Sequence, residues 1–384
     1  MLKIVNMEIV VRAGRVSKQM EKTKIDQKQM FSLMFLFILS SIVTDLASNA
    51  KQDAWISIFI GMLGSLALYF FVYCQIFNHY PTLPFTGILA KAFSKYIGVP
   101  LSLVYIGYFF YLTSNATRHL GDTITTHILS ETPIPVVNFI VLLLISYGCY
   151  LGIEVLGRTA EILLIWMFIF GLIGNLTVVA SGIIKINNLQ PILEKGWLPV
   201  LKQAIPLSFS YPFGEIFLFL MFLPYLNRPE LAKKTGSISI LFSGFSLTWT
   251  FLLIITVLGP LGAEITDIPL LSMVGKINVG HIIQRMDSIV VGTFVVGFFI
   301  KISLYFYAVV IGLTNVFKLK RYQSFIIPAA SLIFISTFFI GKNNVEYSRF
   351  RLEKLPYMVE LPLLIGIPLI VLFTLWVRKG LRKS

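Results

Sequence analysis

Charge is what this sequence has least of. Only 13% of its 384 residues are Asp, Glu, Lys or Arg, about half the roughly 25% of a soluble domain. So little charge cannot cover a water-exposed globule, and the missing polar surface therefore faces lipid. Hydrophobic residues make up 56% of the chain and the mean hydropathy is +0.82, in agreement. Cysteine is nearly absent. Cys74 and Cys149 each sit inside an apolar run, which excludes a disulfide framework or a CxxC metal pair and leaves two small buried hydrophobes. The histidines (His79, His119, His127, His281) are scattered, without HExxH or a Cys/His cluster. No GxxxxGK[ST] loop points to an ATP-driven pump, and no GxSxG elbow to a hydrolase. There is no arginine-striped voltage sensor and no TVGYG filter. No metal or cofactor is expected, and no enzymatic activity.

What is present is a series of long apolar runs. They are continuous and do not alternate with period two, so they read as helices and not as barrel strands. A crossing needs about 20 apolar residues, and a helix satisfies its own backbone in lipid. Ten spans are expected, at 29–49, 54–77, 100–128, 135–153, 160–182, 202–226, 237–259, 284–314, 325–341 and 360–377. They are called helices 1 to 10 below. Proline punctuates the intervening loops, from Pro81 and Pro84 through Pro133 and Pro191 to Pro356.

Residues 1–28 form a basic tail with seven Lys or Arg, followed by a ten-helix membrane domain over 29–378 and a short terminus at 379–384. The first apolar run begins near Met30, too late and too long for a signal peptide. Met20 offers a second translation start. With the N-terminus inside, cytoplasmic segments hold 20 Lys and Arg and outer segments 9. That asymmetry predicts both termini in the cytoplasm. The net charge of +14 then belongs to cytoplasmic loops and anionic lipid, not to a nucleic-acid partner.

Helix 6 carries the strongest functional signal. In Ala204-Ile-Pro-Leu-Ser-Phe-Ser-Tyr-Pro-Phe-Gly-Glu215, Pro206, Pro212 and Gly214 fall close together at bilayer depth. Pro212 removes a donor and Gly214 relaxes the backbone. Unwound backbone is tolerated in a membrane only inside protein or beside a cavity, and broken helices build midplane ligand sites. A plain proline kink is the alternative. Helix 1 has a weaker counterpart in Ser40-Ser-Ile-Val-Thr-Asp45, without Gly or Pro. Two breaks at the first helix of each five-helix half match a five-plus-five inverted repeat.

Charge inside the bilayer costs about 2.5–3.5 kcal/mol and marks function or pairing. Glu215, after the break, either pairs with a cation, carries a proton or accepts backbone hydrogen bonds. Lys301, in helix 8, either supplies a fixed positive charge or snorkels to the headgroups. Arg118 and Asp122, and Glu154 and Arg158, are spaced i,i+4 and read as structural pairs. Asp45 and Arg285 are expected near the outer surface. Tyr105 and Tyr108 share one face of helix 3 and are able to wall a small-molecule site.

Tyr-Pro-Phe-Gly-Glu at 211–215, the Phe-Leu-Met-Phe-Leu-Pro-Tyr-Leu run at 219–226, Lys51-Gln-Asp-Ala-Trp55 and Phe299-Ile-Lys-Ile-Ser303 resemble the B subunits of spore germinant receptors. The resemblance spans most of the chain. It implies an amino acid–polyamine–organocation (APC), LeuT-like transporter fold, a home in the spore inner membrane, and partnership with an A subunit and a C lipoprotein. It further implies a small nutrient, an amino acid above all, among helices 1, 3, 6 and 8. By position that pocket takes in Ser40, Ser41, Tyr105, Tyr108, Ser210, Tyr211, Phe213, Gly214 and Thr293, with Glu215 and Lys301 as coupling or structural charges. The superfamily's glycine-rich break in helix 1 has no counterpart here. A proton- or sodium-coupled amino acid transporter and a scaffold with a vestigial pocket are the competing readings.

Overall fold

Asp26 starts the first crossing. Its carboxylate accepts the Gln29 N–H at 2.8 Å, and the Gln29 side chain accepts the Asp26 N–H at 3.1 Å. This reciprocal cap satisfies two orphan donors and begins the α-helix at Gln27, where it runs to Leu39. The chain then tightens into a 3₁₀ turn over Ser40–Val43. The computed structural model describes residues 24–43, 50–266, 268–279, 283–284, 287–340 and 354–381. Asp45 and Arg285 lie outside them.

Seven described helices are long and apolar enough to cross a membrane. They are Lys51–His79 (helix 2), Ser94–His127 (helix 3), Ile134–Leu151 (helix 4), Ile153–Ala180 (helix 5), Pro229–Glu264 (helix 7), Asp287–Phe317 (helix 8) and Pro356–Lys379 (helix 10). Helix 6 is a bent pair, Trp197–Gln203 and Ser208–Met221 at 44°, long and apolar enough when taken together for an eighth crossing. Two shorter apolar helices, Gln27–Ile42 and Tyr322–Thr337, stand where the sequence places helices 1 and 9. A short helix, Phe85–Ala92, lies between helices 2 and 3. A two-residue hairpin pairs Asn278–Val279 with Ile283–Gln284 before helix 8.

The breaks follow from local chemistry. Tyr211 takes an extended conformation (φ −125°, ψ 125°) inside helix 6, because a residue preceding proline is driven out of the α region. Beyond Pro212 the chain resumes as a 3₁₀ helix over Gly214–Met221. Helix 7 is interrupted at Gly259, whose φ of +76° suits glycine and which also precedes a proline. The expected end at 259 is therefore a kink, and the helix continues to Glu264. Helix 10 starts earlier than expected, with π-helical turns over Pro356–Glu360 and Pro362–Gly366. Its displaced carbonyls receive tyrosine hydroxyls: Tyr105 donates to Leu363 O at 2.6 Å and Tyr73 to Leu364 O at 2.7 Å.

Helix 8 occupies the middle of the bundle. Gly297 lets it approach helix 1, where an added Cβ would come within 2.9 Å of Ser40 Cα. Helix 2 packs on helix 6 in the same way, with Gly61 against Ser208. Helices 4 and 5 form the periphery and turn large apolar side chains such as Ile140, Leu144, Ile165 and Leu172 outward. The two i,i+4 pairs form, Arg118 to Asp122 at 2.9 Å and Arg158 to Glu154 at 2.7 Å.

Candidate ligand site at the helix 6 break

Unwinding helix 6 frees backbone groups that need partners in a water-poor interior. One is taken locally: Ser65 of helix 2 donates to the Phe213 carbonyl at 2.7 Å. Two residues further, Glu215 enters the bundle with its side chain 2% exposed, and Lys301 of helix 8 meets it with Nζ 2.9 Å from Oε2. Lys301 also donates to Ser41 Oγ at 3.0 Å. Its ammonium lies 4.2 Å from the centre of the Tyr211 ring and 5.1 Å from that of Phe37. A carboxylate, a hydroxyl and aromatic faces together make an ammonium cage, and here the cage is filled by the protein's own lysine. Helices 1, 6 and 8 are thereby joined through one charge. Removing one member of such a buried pair strands the other, at a cost of about 3–5 kcal/mol.

Lys301 therefore does not snorkel; its side chain is 2% exposed and paired. Ser41, Tyr211 and Glu215 meet at it directly. Tyr108 is buried within electrostatic reach of both Glu215 and Glu360. The hydroxyls of Tyr108 and Ser210 are buried without a hydrogen-bond partner among the described residues. Other expected residues have their polar atoms occupied. Ser40 donates to Phe37 O at 2.7 Å. The Tyr105 hydroxyl is held by Leu363, and its ring stacks on Phe217 at 5.1 Å. Phe213 is fully buried. Gly214 is packed tightly, since an added Cβ would lie 2.7 Å from Phe209 O and 3.0 Å from Leu364. Thr293 is half-buried and sits about 12 Å before Lys301 along helix 8 at 1.5 Å per residue.

Three contributors escaped the sequence reading. Glu360, 6% exposed, is a second buried acid beside Tyr108. Its signal was an acid between Pro356 and Pro362 at the head of an apolar run. Phe37 and Tyr305 complete the aromatic surround, and no local pattern distinguishes them from ordinary packing residues. At the N-terminal end of helix 1 the backbone is bonded to the far end of helix 6. Ile25 donates to Tyr225 O at 2.9 Å and Asn227 donates back to Ile25 O at 2.9 Å. Lys24 Nζ reaches Pro224 O at 3.1 Å. The start of helix 1 is thus strapped to the end of helix 6.

Residues 24–345 match the family model described as spore germination protein. The chain belongs to that family. It is 33% identical to spore germination protein KB of Bacillus subtilis (strain 168) over 95% of this chain and 98% of the relative. Spore germination protein YndE of the same organism is 26% identical, covering 78% of this chain and 82% of the relative. Two solved transporters share the fold of this spore germination protein. A substrate-bound, outward-open Na+-coupled sialic acid symporter superposes with a TM-score of 0.63, covering 94% of this chain and 85% of that one, at 12% identity. MHP1, a nucleobase-cation-symport-1 family transporter in a closed conformation, superposes with a TM-score of 0.59, covering 94% of both chains, at 12% identity. The spore germination protein is therefore a multi-pass, permease-like membrane protein with the APC/LeuT-type transporter fold. Its family is one of permeases, not of enzymes.

Proposed function

We propose that this spore germination protein is the nutrient-binding membrane subunit of a germinant receptor, taking a small zwitterion, an amino acid, at the break in helix 6. The observation that carries this reading is the buried Glu215–Lys301 pair, 2.9 Å apart. A zwitterion brings one charge of each sign. Its ammonium replaces that of Lys301 at Glu215 and its carboxylate takes Lys301, so no net charge enters the interior. A neutral sugar offers nothing to offset parting the pair. Ser41, Ser210, Tyr108 and Tyr211 complete the polar surround, with Ser40, Tyr105, Phe213, Gly214 and Thr293 in supporting positions. Ligand that favours the conformation with the pair opened shifts the population toward it, and helices 1, 6 and 8 pass the change on. The A subunit and C lipoprotein are the receiving partners, in the spore inner membrane, with both termini of this chain cytoplasmic.

The test is germination dose–response in spores carrying only this receptor, across amino acids, sugars and nucleosides. Amino acids are expected to act, and Glu215→Gln at normal protein level is expected to raise the required dose at least about tenfold, the equivalent of 1.4 kcal/mol. A response confined to sugars or nucleosides, or an unmoved dose–response in the variant, overturns the reading. A coupled amino acid transporter is the second reading, supported by symporters sharing the fold. Gradient-driven uptake of radiolabelled amino acid into vesicles is its signature.

A further inference from the structure

A cavity of about 340 Å³ lies between the end of helix 8, the loop before helix 9, the short connection between helices 4 and 5, and the end of helix 6. It shares no lining residue with the Lys301 cage. Tyr307, its nearest contribution from helix 8, stands about 9 Å beyond Lys301 along the helix. Its volume is in the range of small-ligand sites, roughly 300–1,000 Å³.

The lining has a definite chemistry. Lys320 and Arg321 contribute two positive charges, and no Asp or Glu is among the lining residues. Tyr225, Tyr307 and Tyr322 add phenols and Asn315 an amide. The walls are held in place: the Tyr322 hydroxyl donates to Tyr150 O at 3.3 Å, and its ring meets that of Tyr307 edge-on at 5.4 Å. The helix 4–5 connection passes beneath Tyr322 at Gly152, where φ is +100° and a Cβ would stand 3.2 Å from the hydroxyl. Phe317 and Ile327, in the flanking helices, are 57% and 77% exposed, as lipid-facing residues are. A cavity with two cations, the Asn315 amide and no carboxylate selects an anion. An arginine fork beside a lysine suits a phosphate oxygen pair.

We propose that this cavity binds a phosphate-bearing anion, whose source is either an anionic phospholipid headgroup or a soluble phosphate ester. An anion held there ties the helix 8–9 loop to Tyr225, which is itself strapped to Ile25.

The test uses the purified full-length chain, delipidated in detergent, and native mass spectrometry. Phosphatidylglycerol, phosphatidylcholine and glycerol 3-phosphate are the added probes. Phosphatidylglycerol is expected to be retained about tenfold better than phosphatidylcholine, as one charge-assisted contact of about 1.5–3 kcal/mol allows. The double variant Lys320→Gln/Arg321→Gln is expected to lose that preference. Both side chains are exposed, and an unchanged Tm verifies that the variant is folded. Displacement of the lipid by glycerol 3-phosphate assigns the site to soluble esters; its failure to displace assigns it to lipid. Equal retention of the two lipids with no bound glycerol 3-phosphate overturns the proposal. So does a wild-type preference in the double variant.

Discussion

Helices 5 and 8 are both long apolar rods, yet they live in different solvents. In helix 8, 83% of the apolar window is buried inside the protein; in helix 5 the share is 11%. Hydropathy cannot tell them apart, because lipid and protein interior are equally dry. What differs is the cost of change. A helix packed on all sides meets protein atoms wherever a side chain grows or shrinks. A helix facing acyl chains meets a fluid that adjusts. The proposed site sits on the packed helix, where the two members of the Glu215–Lys301 pair are held 2.9 Å apart and screened from water.

The largest expected difference comes from charge. Lys301→Met leaves Glu215 buried and unpaired and should cost about 3–5 kcal/mol, read as a large drop in Tm in lipid nanodiscs. The double variant Lys301→Met/Glu215→Leu should recover most of that loss, because neither charge is then stranded. If the double variant is no more stable than the single one, the pair is not what joins helices 1, 6 and 8.

Packing comes next. Gly297→Val forces helix 8 against Ser40, where a Cβ alone already approaches to 2.9 Å, and should cost about 1–3 kcal/mol. Gly171→Val in helix 5 meets nothing within 4 Å and should stay within about 0.5 kcal/mol. Equal Tm shifts for the two would erase the contrast between the helices. A hydrogen bond is smaller: Tyr105→Phe removes the donor to the Leu363 carbonyl and should lower stability by about 1 kcal/mol, because the ring stays in place. The smallest effect belongs to the outer face. Leu172→Ala, at a side chain 62% exposed, should change Tm by no more than the equivalent of about 0.5 kcal/mol. Gly214 is a poor probe of ligand binding. Its missing Cβ faces the Phe209 carbonyl, so a bulky replacement there disturbs the fold as well as the site.

Much of the fold was legible because each signal is local. Apolar runs of the right length marked the crossings. Pro212 and Gly214 marked the break in helix 6, and the extended Tyr211 before the proline is the direct consequence of a steric rule between neighbours. The i,i+4 charge pairs formed as spaced. Helix 10 was placed late because its opening turns contain two prolines and an acid, a pattern that reads as loop until other helices supply partners. Glu360 went unassigned for the same reason.

The sequence alone determined that this chain dissolves in lipid and where its sixth apolar run must come apart, since each depends on composition or on adjacent residues. Whether Lys301 reaches for headgroups or for Glu215, and which apolar helix is the core and which the rim, was decided only by tertiary structure. Those outcomes rest on pairings between residues far apart in the chain, and a buried charge takes whichever partner the packed helices bring within about 3 Å.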